Sequence, residues 1–192
     1  TAAQADALDT MNGEWPYYTG DIKGSRYSPL DQINADNFED LELAWSFTTK
    51  NLGSRAEYKL EVTPLMVGGI VYATAGTRRT AIALDAKTGE LMWMHSMREG
   101  LRAGMAPRQL SGRGLSYWSD GNGDDRVYYV TTGYKLVALN AHTGVPINSF
   151  GTELGMLADN IQRMRLDAST QISETVEKIN GLLQRVDFLN PL

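Results

Sequence analysis

The chain contains no cysteine, and only two of its 192 residues are histidine, His95 and His142. Disulfides and thiolate chemistry are therefore excluded, the redox compartment is left open, and two histidines are too few for a histidine-rich metal centre. No apolar run reaches the roughly 18 residues that a membrane-spanning helix needs. No basic segment followed by an apolar stretch opens the chain. Thr1-Ala2-Ala3-Gln4-Ala5 has instead the small-residue character expected of a mature N-terminus left after processing. Positive charge is also scarce: 18 Lys and Arg face 23 Asp and Glu, giving a net charge of −5. Without a basic cluster, that balance argues against a nucleic-acid surface. The 42% hydrophobic and 21% charged composition is that of an ordinary globular domain, with length for one core or one core plus an appendage.

What the chain does have is a phrase used twice, Ala83-Leu84-Asp85-Ala86-Lys87-Thr88-Gly89 and Ala138-Leu139-Asn140-Ala141-His142-Thr143-Gly144, 55 residues apart. A fixed period of that size marks a repeated supersecondary unit, as in propellers and solenoids. Ala and Leu end a buried strand, and the Asp85 carboxylate can cap the turn by accepting backbone N–H bonds. Thr88 and Gly89 supply a small polar residue and a positive-φ position. Trp93, four residues on, offers a large apolar face with one N–H to satisfy, which suits packing between sheets.

The rest of residues 41–150 reads as β structure. Leu41 to Phe47 alternates and predicts a strand with one buried face. Thr63 to Val67 and Ile70 to Thr74, joined by Gly68-Gly69, predict a hairpin. With Ala81 to Leu84 and Leu91 to His95 they make one four-stranded blade. Leu115 to Trp118, Arg126 to Thr131 and Leu136 to Leu139 predict a second blade that closes near Pro146 to Phe150. Residues 96–112 form a long basic loop, and a loop of that length between compact repeats is usually functional. Residues 1–12 predict a short helical or frayed lead-in, and the aromatic stretch after Gly13 an extended segment against a sheet. After Gly151 the period changes. Ile172, Val176, Ile179, Leu183 and Val186 step by four, three, four and three, which predicts a helix over about 156–188 that buries this stripe on its own domain or in self-association.

Residues 13–151 resemble the N-terminal part of the PQQ-dependent (quinoprotein) alcohol and glucose dehydrogenases. Trp15-Pro16, Gly20-Asp21 and Arg26-Tyr27-Ser28-Pro29-Leu30 resemble the family's opening signature. Glu61-Val62-Thr63-Pro64-Leu65 is similar to its Glu-x-Thr-Pro segment, and Gly112-Arg113-Gly114-Leu115-Ser116-Tyr117-Trp118 to its Arg-Gly-x-x-Tyr-Trp segment. The two blade phrases complete the set, whereas residues 152–192 resemble nothing in the family. The resemblance implies a mainly β fold, a partial β-propeller of about two four-stranded antiparallel blades carrying a C-terminal helical tail.

It also implies a chemistry: oxidation of an alcohol or sugar hydroxyl, with hydride passing to pyrroloquinoline quinone (PQQ) polarised by Ca²⁺, in a periplasmic or secreted protein. Glu61, Arg113 and Thr131 fall where the family hydrogen-bonds PQQ. PQQ is a flat ortho-quinone tricarboxylate, so a bidentate Arg suits its charge and a Thr hydroxyl can donate to its oxygens. The slots of the alcohol branch's adjacent cysteines hold Pro107 and Arg108, a departure that leans towards the sugar or polyol branch. The family's Ca²⁺ ligands and catalytic Asp base come from later blades and have no counterpart here. Asp120, Asn122, Asp124 and Asp125 imitate a Ca²⁺ loop but lack the Gly at its sixth and the Glu at its twelfth place, and read as a turn. The chain is thus expected to be incomplete for catalysis by itself. The alternative from another class is a non-catalytic propeller piece that acts as a binding or assembly module through its helix.

Overall fold

The computed structural model describes residues 8–53, 57, 60–107, 114–151 and 168–179. Two compact units divide the chain, Thr1–Ile147 and Asn148–Leu192. In the first, β1 (Leu65–Val67), β2 (Ile70–Ala75), β3 (Thr80–Asp85) and β4 (Leu91–His95) form an antiparallel sheet in sequence order. A second antiparallel sheet follows from β5 (Ser116–Ser119), β6 (Asp125–Val130) and β7 (Leu136–Asn140). The Gly68-Gly69 hairpin pairs Val67 with Ile70, in the register that the two-glycine turn predicts.

Both phrases fold alike, and the Asp-to-Asn exchange between them costs no hydrogen bond. Asp85 Oδ1 accepts from the Lys87 and Thr88 amides and from the Thr88 hydroxyl, at 3.0, 2.8 and 2.9 Å. Asn140 Oδ1 accepts from the His142 and Thr143 amides and the Thr143 hydroxyl, at 3.1, 3.0 and 3.1 Å. An indole docks on each turn. Trp45 Nε1 donates to the Ala86 carbonyl at 3.0 Å, and Trp93 Nε1 to the Ala141 carbonyl at 2.8 Å. The closing glycines make room for the rings. A Cβ on Gly89 would stand 2.5 Å from Trp45, and one on Gly144 2.6 Å from Trp93, at φ values of +72° and +69° that favour glycine anyway.

Between the sheets lies one shared core. Leu65, Val67, Tyr72, Ala81, Ala83 and Trp93 from the first pack with Val127, Tyr129, Leu139 and Ala141 from the second. Two neighbouring blades of a propeller are joined in this way, by large apolar side chains between successive twisted sheets.

Some elements depart from the sequence pattern. Leu41 to Phe47 is not a strand: its backbone has no ladder partner among the described residues, and of this segment Trp45 and Phe47 pack on the core formed by Ala75, Ile82 and Leu84. Among the described residues the second blade has three strands where four were expected: Pro146 brings no N–H to a ladder, and the closing segment makes an isolated bridge from Leu139 to Pro146. Residues 8–12 are turns and bends without helix. Trp15, by contrast, does lie against a sheet, exchanging two backbone hydrogen bonds of 2.7 and 3.1 Å with Met66. The long loop contains a short helix, α1 (Gly100–Gly104).

In the second unit residues 168–179 are helical. The expected burial of the stripe does not hold for its described members, since Ile172, Val176 and Ile179 are 65, 48 and 50% exposed. A stripe of about two heptads is too short to fix a partner by itself. Leu183 and Val186 lie outside the described residues.

Candidate cofactor site

The turn after β6, residues 131–134, is closed by two backbone bonds, Thr131 N–H to the Lys135 carbonyl at 2.8 Å and Tyr134 N–H to the Thr131 carbonyl at 3.0 Å. Tyr134 takes φ +63° to complete it. Thr131 is 1% exposed. Its hydroxyl donates to Glu99 Oε1 at 2.9 Å and accepts the Lys135 amide at 3.0 Å. Glu99 Oε2 takes the Gly133 amide at 2.7 Å. A two-donor seat, one hydroxyl and one backbone N–H, thus holds a carboxylate.

Two guanidinium groups back this seat. Arg79, itself 1% exposed, donates from Nη1 to the Thr131 carbonyl at 3.1 Å, and its guanidinium lies 5.8 Å from the centre of the Tyr134 ring. Arg102, on α1, donates from Nε to the Gly133 carbonyl at 2.6 Å. A Cβ on Gly133 would stand 2.6 Å from Glu99 Oε1, so the close approach of that carboxylate requires glycine. Thr132 Oγ1 is buried with no hydrogen-bond partner among the described residues.

Beside the seat, His95 at the end of β4 meets Tyr129 of β6, with Nδ1 2.8 Å from the Tyr hydroxyl and the rings edge to face. Burial lowers the His95 pKa, and burial with the nearby Glu99 charge pushes Tyr129 up to about 12. The sign for stability follows. Between the depressed folded value and the ordinary value near 6.5, the unfolded chain binds the extra proton, so stability falls as pH drops through that window. Replacing His95 with Gln is expected to flatten the fall in melting temperature between pH 7 and pH 5. An unchanged slope in that variant would assign the fall to other groups.

Of the three residues expected to touch a cofactor, Thr131 lies in this buried turn, whereas Glu61 lies on the exposed stretch leading into β1. Arg113 lies outside the described residues. Glu99, Arg79 and Gly133 were not singled out by sequence. A signal for Glu99 existed: it is the sole acid in the basic segment 96–112. No comparable signal marked Arg79.

The donor set fits a carboxylate-bearing cofactor, because it already holds a carboxylate from two directions. For a divalent metal the described residues offer no comparable fit, with no group of three or more His, Cys, Asp or Glu side chains converging. Asp125 illustrates this: burial raises its pKa, but hydrogen bonds from Ser119, His142 and Tyr117 outweigh that and leave it below the ordinary value, already partnered.

Two successive antiparallel sheets, locked by docked indoles and bearing a carboxylate seat on one turn, define a segment of a β-propeller. Residues 15–175 match the family described as PQQ: glucose/ethanol/alcohol dehydrogenase, beta-propeller domain, and the chain belongs to that family. The dehydrogenase subunit of a quinone alcohol dehydrogenase of Gluconobacter oxydans is 39% identical over 133 residues, 69% of this chain and 16% of the relative. The quinoprotein glucose dehydrogenase of Escherichia coli is 30% identical over 166 residues, 79% of this chain and 20% of the relative. A europium-containing methanol dehydrogenase superposes with a TM-score of 0.63 at 30% identity, covering 76% of this chain and 24% of the other. The chain therefore spans about a fifth of the length of the proteins it matches.

Proposed function

We propose that this chain supplies part of the PQQ pocket of a quinoprotein dehydrogenase that oxidises an alcohol or sugar hydroxyl. The observation that carries this reading is the Thr131–Gly133 seat, which binds a carboxylate through one O–H and one backbone N–H. Thr131 and Arg113 would hold carboxylates of the quinone, and Glu61 would accept from a proton-bearing group on it. Bound PQQ supplies a two-electron acceptor for the hydride of the substrate's carbinol carbon. The chain's own residues bind and orient: Arg79 and Arg102 fix the turn through its carbonyls. The relatives, alcohol and glucose dehydrogenases, support an alcohol or a sugar as substrate, and the absence of the cysteine pair favours the sugar or polyol side. Calcium and the catalytic base belong to parts of the enzyme that these residues do not supply. A periplasmic or secreted setting accords with the family resemblance.

A second reading, a non-catalytic propeller piece that self-associates through its helix, is favoured by the exposed stripe of Ile172, Val176 and Ile179. Titration of the chain with PQQ, followed by tryptophan fluorescence and coupled to sedimentation, separates the two. Saturable binding that weakens about tenfold or more in Arg113→Ala is expected, since a charge-assisted bidentate contact contributes on that scale. A chain that sediments as a dimer but leaves PQQ unbound would favour the assembly reading instead.

A further inference from the structure

We propose that Glu99 is a placeholder: its carboxylate fills the seat made by the Thr131 hydroxyl and the Gly133 amide, and a carboxylate of the incoming quinone takes the seat when the strap bearing Glu99 lifts. This rests on the reading of Thr131 as a cofactor contact. At 1% exposure, Thr131 offers nothing to a ligand while Glu99 stays in place. Its hydroxyl proton is committed to Glu99 and one lone pair to the Lys135 amide, so it cannot donate to a second carboxylate. If Thr131 binds quinone, Glu99 must first leave.

The strap, residues 96–107, is built to leave. Its helix α1 has no buried residue. Leu101 and Met105 are 83 and 82% exposed, and Ala106 is the one buried apolar residue that anchors the segment. Among the contacts of the described residues, the two hydrogen bonds of Glu99 and the Arg102 bond to the Gly133 carbonyl tie it to the turn. Segments with few buried apolar contacts open at low free-energy cost. Departure of Glu99 leaves an O–H and an N–H pointing at one spot, on a turn whose Thr131 carbonyl stays bonded to Arg79. Two donors converging on one spot favour a replacement carboxylate, which can accept from both. The apparent affinity for the quinone is then reduced by the fraction of chains in which the strap is down.

The test titrates PQQ into the full chain and into Glu99→Ala, Glu99→Gln, Thr131→Val and the Glu99→Ala/Thr131→Val double variant, with melting temperature as the folding control. Glu99→Ala is expected to bind PQQ about tenfold more tightly, the gain that follows when a mostly closed site is freed. The gain should vanish in the double variant, and PQQ should speed or alter exchange of the Gly133 amide proton in the unsubstituted chain. Glu99→Gln, which keeps an amide oxygen for Gly133 but no charge, should show a smaller gain; it decides the matter if the alanine variant does not fold. Two failures are distinguishable. Unchanged affinity in Thr131→Val would overturn the cofactor contact beneath the proposal. Weakened affinity in Thr131→Val, together with equal or weaker binding in the Glu99 variants, would overturn the placeholder alone and make Glu99 a brace for the turn.

Discussion

The purified 192-residue chain, supplied with PQQ, Ca²⁺ and an alcohol or sugar, is expected to give no dye-linked turnover. Hydride loss from a carbinol carbon needs a base within hydrogen-bond reach of the hydroxyl proton, which by itself contributes about 10²- to 10⁴-fold. A metal ion that polarises the acceptor carbonyl adds several kcal/mol of transition-state stabilisation. Among the described residues no acidic or histidine cluster could hold that ion. The resemblance assigns the base to an Asp of later blades, and of the basic groups described here His95 Nδ1 is hydrogen-bonded with Tyr129 and Asp125 Oδ2 with His142. Missing both contributions, the chain should fall several orders of magnitude below a complete enzyme. Dye reduction that a chelator abolishes and Ca²⁺ restores would contradict this, and would mean that copies of the chain complete the site by assembling.

Trp93→Ala is expected to cost about 4 kcal/mol of stability, a large fraction of the roughly 5–15 kcal/mol that holds a domain folded. Trp93 is 9% exposed, lies 6.1 Å from Tyr72 ring to ring, and fills the core common to both sheets. Its removal opens a cavity there and also strips the Ala141 carbonyl of its donor, a further penalty of about 1–3 kcal/mol for a buried acceptor. Gly144→Ala attacks the same contact from the other side, by placing a Cβ 2.6 Å from the indole at φ +69°. Chemical denaturation checks both variants. A midpoint within error of the unsubstituted chain would show that the blades are not held together by this indole.

The two blade phrases were legible because residues in them have local jobs: an acceptor at Asp85 or Asn140, a positive-φ glycine and, after the first phrase alone, an indole four residues on. The two-glycine hairpin and the repeated phrase likewise marked the strands of the first sheet, whereas alternation was the signal read at Leu41 to Phe47. It misled there, where of this segment Trp45 and Phe47 pack on a core and no neighbouring strand among the described residues supplies a ladder. Alternation reports which side faces a core, whereas strand formation depends on a partner distant in sequence. The 152–192 stripe shows the same limit, since spacing specifies an apolar face without specifying what covers it.

The candidate site was legible in part for a similar reason. Thr131 was implied by the family resemblance, but the contacts that define its state are non-local: Glu99 lies 32 residues away and Arg79 52 residues away. Asn148 occupies the place in the second phrase that Trp93 holds after the first, so the indole series Trp45, Trp93 does not continue at that position. That difference was readable from sequence, and its consequence is that any further sheet beyond the second would be joined by a different contact.

A crystal structure of the chain soaked with or grown in PQQ tests the central claim most directly. The expected result is a quinone carboxylate within hydrogen-bond distance of Thr131 Oγ1 and the Gly133 amide, with Glu99 swung out and the Trp45 and Trp93 indoles still docked on their turns. Quinone density elsewhere on the chain, or Glu99 still seated on Thr131 beside a bound quinone, would contradict it.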